Sequence, residues 1–132
     1  MDLELKDKRL LVLGGTRISC EIIRKAKELG CYVAVADYND IQDSPGKQMA
    51  DAAFDVSVTD IDAMVDLIGK QQIGGVMVGF ADAILPAYAE ICDKAGLPAY
   101  ATKDQLEIFT RKDRYKELLR KYAIPTVEEY HV

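Results

Sequence analysis

Four places in this sequence carry residue types that could do chemistry. The first is the turn Gly14-Gly15-Thr16-Arg17, directly after the apolar run Leu10-Leu11-Val12-Leu13. A glycine turn between a strand and the helix after it presents backbone N–H groups at a helix start, which suits an anion. Arg17 could add a bidentate contact to a carboxylate or phosphate held there. A turn kept for packing, with Arg17 solvated, is the competing account. The second is Asp37, at the end of Tyr32-Val33-Ala34-Val35-Ala36. It lies roughly 20 residues past the turn, where a dinucleotide-binding fold keeps its ribose acid. The glycine fingerprint is incomplete, because Thr16 and Ser19 stand at its second and third glycine positions. NAD(P) is therefore expected to bind weakly or not at all. Asp82 is the third, at the end of a strand-like run, where open α/β sheets bind ligands; an N-cap for the next helix is its plainer reading. The fourth is the basic start of the segment Thr110-Arg111-Lys112-Asp113-Arg114. Positive charge there opposes the helix dipole, and a bound phosphate would relieve it; a solvated charged face is the alternative. Cys20, also near a helix start, reads as a small apolar filler.

These residues need a scaffold, and the hydrophobic period supplies one. Strand-like runs at residues 10–13, 32–36, 54–58, 76–80 and 98–101 alternate with helix-like stripes. That order predicts an α/β fold: an open, parallel five-stranded Rossmann-like sheet with helices on both faces. The stripe after the first strand is Ile18, Ile22, Ile23, Ala26 and Leu29, closed by Gly30; residues 39–46 read as a loop around Ser44-Pro45-Gly46. Asp60 is placed to cap the helix carrying Ile61, Met64, Val65 and Ile68, and Asp82 the helix carrying Ile84 to Ala95, with Pro86 in its first turn. After residue 101 the alternation stops. Two helices follow in succession, the first opened by Thr102 or Asp104 and the second running from about residue 113 to 122. Residues 1–101 are thus expected to form the Rossmann-like domain, and 102–132 a helical linker into a further domain.

Composition removes several function classes. Net charge is −5 with no concentrated basic face, so nucleic-acid binding is not expected. No apolar run approaches the ~20 residues of a membrane helix, and the N-terminus lacks a signal-peptide pattern. Cys20, Cys31 and Cys92 are scattered and without CxxC spacing, which predicts reduced thiols and a cytoplasmic location. His131 is the only histidine, which argues against a His-based metal site or a Ser-His-Asp triad.

The segment from Thr110 to Thr126 resembles the entry to the ATP-binding region of the ATP-grasp ligase superfamily, where a basic residue opens a helix that ends at Gly-Ile-Pro or Gly-Val-Pro. Here the ending is Ala123-Ile124-Pro125, with alanine in the glycine's place. The stretches Leu11 to Arg17, Val35 to Asn39 and Ile91 to Pro98 are similar to the carbamoyl-phosphate-synthase-like branch of that superfamily. The resemblance covers nearly the whole chain. It implies that Lys112 contacts ATP, and that the full-length parent uses ATP and Mg²⁺ to activate a carboxylate for attack by an amine. It further implies a small-molecule carboxylate or amine substrate near the glycine turn, the remainder of the ATP-grasp enzyme as partner, and room for a homodimer. The family's second ATP-binding lysine, its phosphate-covering loop and its Mg²⁺ carboxylates would fall beyond Val132. The chain alone is therefore expected to be inactive and to bind neither ATP nor Mg²⁺ tightly. Two other readings remain: an NAD(P)-binding dehydrogenase or epimerase domain, which needs a full glycine fingerprint and a Tyr-Lys pair; and a non-catalytic flavodoxin-like module, which needs residues 102–132 to fold back as an integral last helix.

Overall fold

A computed structural model describes residues 4–79 and 81–127 of the chain. Phe80 and His131 therefore lie outside the described residues. Among the described residues four parallel strands form one sheet: β1 (Arg9–Leu13), β2 (Tyr32–Asp37), β3 (Ala52–Asp55) and β4 (Gly75–Met77), in the order β3-β2-β1-β4. Leu11, Val12 and Leu13 of β1 and Val33 to Ala36 of β2 are all buried, as central strands covered on both faces require. One face packs Val12, Val33 and Val35 against Ile23 and Ala26 of helix α1 (Cys20–Glu28), with Met49 of α2 (Pro45–Met49) beside them. The other packs Leu11, Leu13, Ala34, Ala36 and Val76 against α3 (Ile61–Lys70) and α4 (Leu85–Ala95).

The strand count departs from the five expected. Residues 98–101 form no strand, and Pro98 lacks the N–H a ladder needs. Instead the Tyr100 hydroxyl receives the Val78 N–H (3.0 Å) and donates to the Val78 carbonyl (3.1 Å). One side chain thus makes the two-way exchange with Val78 that a neighbouring backbone would make. The Tyr100 N–H in turn donates to the Tyr88 hydroxyl at 3.1 Å.

β3 also starts and ends earlier than residues 54–58. It pairs Ala34 with Ala52 and Asp37 with Asp55, so it stops where its only neighbour stops. Residues 39–46 are not a plain loop: a 3-10 turn at Ile41–Asp43 leads into α2, with Pro45 in the first turn where its missing N–H costs nothing. Asp82 does not cap α4. It begins a 3-10 turn, Asp82–Ile84, closed by the Ile84 N–H on the Ala81 carbonyl, and α4 starts only after it with Pro86 in its first turn.

Other expectations hold. The Asp60 carboxylate accepts the Ala63 N–H at 3.2 Å, and Gly96 closes α4 in the left-handed conformation. Thr102 and Gln105 form a reciprocal capping box on α5 (Lys103–Thr110). Helix α5 docks on α4 and puts Leu106 into the sheet's core. Helix α6 (Lys112–Lys121) packs on α5 and has no buried residue of its own. Past its C-cap Tyr122, Ala123 has φ +54°, and the Ile124 N–H returns to the Leu119 carbonyl at 2.8 Å. Ala123 therefore adopts the backbone state for which glycine is the usual residue.

Candidate functional site

At the C-terminal edge of the sheet a cleft of about 240 Å³ opens between the glycine turn, the end of β2 and the segments after β3 and β4. Gly14, Thr16 and Asp37 line it, joined by Ser19, Tyr38, Asn39, Ser57, Thr59 and the apolar Leu13, Val58, Ala81 and Ile84. This is the edge at which a parallel sheet presents its loops to a ligand. Gly15, Arg17, Asp82 and Lys112 are not in its lining. Arg17 and Asp82 are exposed next in sequence to the lining residues Thr16 and Ala81; Lys112 is exposed at the start of α6.

The turn's N–H groups divide into two sets. Gly14 N–H donates to the Ala36 carbonyl (2.9 Å) and Gly15 N–H to Asp37 Oδ2 (2.7 Å), so both already have acceptors. The N–H groups of Thr16, Arg17 and Ile18 have no acceptor among the described residues. Any anion at this turn therefore meets residues 16–18 rather than the glycines. The glycines shape the approach: Gly14 has φ +92°, and a Cβ at Gly15 would lie 2.1 Å from Ser44 Oγ.

Asp37 does not stand free as a ribose acid would. Its Oδ2 accepts from Gly15 and lies 3.2 Å from Ser44 Oγ; its Oδ1 accepts the Asn39 N–H (2.9 Å) and the Lys47 ammonium (2.9 Å). Lys47 is completely buried. Its Nζ also reaches the Asp37 carbonyl (3.0 Å), Asp55 Oδ1 (2.8 Å) and the Asn39 carbonyl. Burial pushes the Asp37 carboxyl upward. The Lys47 ammonium and the Gly15 and Asn39 N–H groups outweigh this, and the net shift is below the usual carboxylate range. For Lys47, burial acts downward and is outweighed by Asp55 and Asp37, leaving it raised. Both groups are therefore charged at neutral pH.

Ser44 and Lys47 escaped the sequence reading, as did the hydroxyl groups of Tyr38, Ser57 and Thr59. The one signal was position: Lys47 follows Ser44-Pro45-Gly46 by a single residue, and Pro-Gly reads as a turn whose lysine points to water. Cys20 is half-buried at the α1 start, with Sγ 3.9 Å from the Thr16 carbonyl. Among the described residues no group of three or more His, Cys, Asp or Glu is placed to hold a metal ion, and no helix is long and apolar enough to cross a membrane.

The fold and cleft together define a Rossmann-like parallel α/β domain whose dinucleotide acid is engaged by the protein itself. No family model matches the chain. It is 29% identical to the 2-oxoglutarate carboxylase small subunit of Hydrogenobacter thermophilus over 131 residues, 91% of this chain and 27% of that one. It is 27% identical to the formate-dependent phosphoribosylglycinamide formyltransferase of Synechococcus sp. WH7803, over 83% of this chain and 28% of that one. Among solved structures, the biotin carboxylase domain of Hydrogenobacter thermophilus 2-oxoglutarate carboxylase, in complex with MgADP, ADP and bicarbonate, superposes with a TM-score of 0.74. It is 26% identical, over 91% of this chain and 28% of that one. Phosphoribosylglycinamide synthetase from Anaerococcus prevotii gives 0.74 at 25% identity, over 92% and 30%. The chain spans less than a third of the length of each of these relatives. They are ATP-grasp ligases, and the chain matches the N-terminal part of that superfamily.

Proposed function

We propose that this chain is the substrate-side domain of an ATP-dependent carboxylate–amine ligase of the carbamoyl-phosphate-synthase-like kind, with no ligase activity of its own. The observation that carries the reading is the set of unmatched N–H groups at residues 16–18, beside the exposed guanidinium of Arg17 and the cleft. In this proposal they hold a carboxylate or another small anion of the substrate, with Thr16 and Arg17 as side-chain contacts. Gly14, Gly15 and Asp37 shape the turn, and Asp82 stands at the rim. An NAD(P)-binding role has less support, because both Asp37 oxygens are engaged within the protein.

Lys112 is proposed to contact ATP. It is exposed, opens α6 and has no side-chain partner among the described residues, so it fits one end of a nucleotide. Mg²⁺ would be held by the remainder of the full-length parent. The bound groups would supply activation of a carboxylate as an acyl phosphate; this chain would supply substrate contacts and one ammonium. The division into residues 1–101 and 102–132 belongs to the proposal, with α5 docked through Leu106 and α6 leading onward. A homodimer and a cytoplasmic location belong to it as well; the neighbouring 2-oxoglutarate carboxylase domain is a dimer.

The test is Lys112→Ala in the full-length parent. ATP turnover should fall and its KM for ATP rise, while stability stays within about 0.5 kcal/mol, since an exposed lysine in a first helical turn contributes little. The 132-residue chain alone should bind Mg-ATP no better than about millimolar, because an ammonium by itself gives little affinity. Unchanged turnover and KM would remove the ATP role from Lys112.

A further inference from the structure

Lys47 is a fully buried cation that the proposed function does not use. A buried ion pair is weak evidence for stability, because a well-packed apolar side chain of similar volume often serves as well or better. An apolar side chain could not hold a carboxylate ionised and aimed. The contacts around Lys47 form a closed ring. Its ammonium holds Asp37 Oδ1 at 2.9 Å, and Asp37 Oδ2 holds the Gly15 N–H at 2.7 Å. The Gly15 carbonyl then accepts the N–H of Gly46, the residue before Lys47, at 2.7 Å. Two glycines meet where the ring closes. A Cβ on Gly46 would lie 2.8 Å from Gly15 Cα, and one on Gly15 would overlap Ser44 Oγ. Asp55 Oδ1 and the carbonyls of Asp37 and Asn39 fix the ammonium from the strand ends. The ring thus ties α2 to the ends of β2 and β3 and to the turn.

We infer that Lys47 is a positioning residue for the substrate turn: by holding Asp37 against the Gly15 N–H, it sets where the Thr16–Ile18 backbone and Arg17 stand beside the cleft. This rests on the reading of that turn as an anion contact and adds the residue that fixes its geometry.

The test follows backbone amide resonances of the whole 132-residue chain, with inorganic phosphate as probe and over a pH series. Wild type, Lys47→Met and the double variant Asp37→Asn/Lys47→Met are compared. In the wild type, phosphate should move the amides of residues 16–18. In Lys47→Met the Gly15 amide should titrate at higher pH, because Asp37 stays buried and has lost its cation. The phosphate response should weaken roughly tenfold, the equivalent of about 1.4 kcal/mol. If Lys47 only stabilised the fold, the variant would melt earlier and shift the Asp37 titration, since its cation is gone, but show wild-type phosphate response and wild-type amide positions at residues 16–18 above that titration, and that result overturns the inference. Should Lys47→Met fail to fold, the double variant, which buries no unpaired charge, decides: a weakened phosphate response supports positioning and a wild-type one overturns it. A wild type silent to phosphate removes the anion reading instead, and the amide positions of residues 16–18 in the double variant then decide whether Lys47 sets the turn: displaced, they support positioning, and unchanged, they overturn it.

Discussion

Gly15→Ala tests the tightness of the turn, and its cost can be worked from the geometry. The new methyl would lie 2.1 Å from Ser44 Oγ, and 3.1 Å from both Asp37 Oδ2 and Val35 Cγ1. The first distance cannot persist, so the Ser44 hydroxyl must rotate away. It then loses its contacts with the Gly15 carbonyl and Asp37 Oδ2, each at 3.2 Å. Ser44 and Asp37 are both buried, and a buried polar group deprived of its partner costs about 1–3 kcal/mol. The two 3.1 Å contacts add overpacking of about 1 kcal/mol or more. The sum, roughly 2–4 kcal/mol, is a large share of the 5–15 kcal/mol that holds a typical domain. Urea unfolding followed by circular dichroism measures it. Ser44→Ala removes the clashing atom, so Gly15→Ala should cost only about 1 kcal/mol in that background, a coupling well above the ~0.5 kcal/mol expected of independent sites. An equal cost in both backgrounds would show that the Oγ overlap is not the cause. A cost below about 0.5 kcal/mol in the wild type would refute the tight turn altogether.

Ala123→Gly should stabilise the end of α6 by about 0.5–1 kcal/mol, since alanine at φ +54° bears a strain that glycine lacks; amide exchange in the last turn of α6 should slow by roughly two- to fivefold. Tyr100→Phe should cost about 1 kcal/mol and speed exchange of the Val78 amide, whose N–H and carbonyl both lose the hydroxyl. The buried charges also set a pH window. Asp37 has a lowered pKa, so its contribution is full above the unfolded value of ~3.9 and is lost as pH falls through the folded value. Lys47 has a raised one, so its contribution is full below ~10.4 and is lost as pH rises through the folded value. Thermal melts should therefore show a plateau between about pH 5 and 9, and in a folded Lys47→Met variant the acid limb should begin at higher pH.

The parts of the fold that the sequence made legible are those where one rule acts alone. β1 and β2 read as unbroken apolar runs because both of their faces are covered. Gly30 and Gly96 mark helix ends because both take positive φ. The misplacements occur where tertiary context overrides a local pattern. β3 uses Ala52 and Ala53, poor strand formers, because its register against β2 places them there, while Val56 and Val58 fall past the end of the ladder. Residues 98–101 form no strand: Pro98 has no N–H to give a ladder, and the Tyr100 hydroxyl meets both backbone groups of Val78. Lys47 could not be found at all: lysine is exposed by default, and only the three-dimensional meeting of Asp37, Asn39 and Asp55 makes its burial tolerable. Of the candidate site residues, Gly14, Thr16 and Asp37 share the cleft lining, whereas Gly15, Arg17, Asp82 and Lys112 stand outside it.

Asp37 shows how one topology can serve different ligands. At the end of the second strand of a Rossmann-like sheet, a carboxylate with a free oxygen can take a ribose hydroxyl. Here the same residue has both oxygens turned inward, one to the turn and one to a buried lysine, so the acid has become part of the scaffold. In the proposed function, recognition then falls to the unmatched N–H groups of residues 16–18 beside the cleft and to the hydroxyls of Thr16, Ser19, Tyr38, Ser57 and Thr59 that line it. That lining offers hydrogen bonds without a free acid, which suits a small polar anion better than a dinucleotide. The far end of the chain is built differently. α6 buries no side chain, and Phe109 and Tyr115, with rings 6.4 Å apart, stand exposed along with Tyr122 and Ile124. Large apolar groups left open in this way are usually covered by a partner surface. Phe109 and Tyr115 flank Lys112 in sequence, and their exposure together with that of Tyr122 and Ile124 supports the proposal that the remainder of the ligase packs against α6.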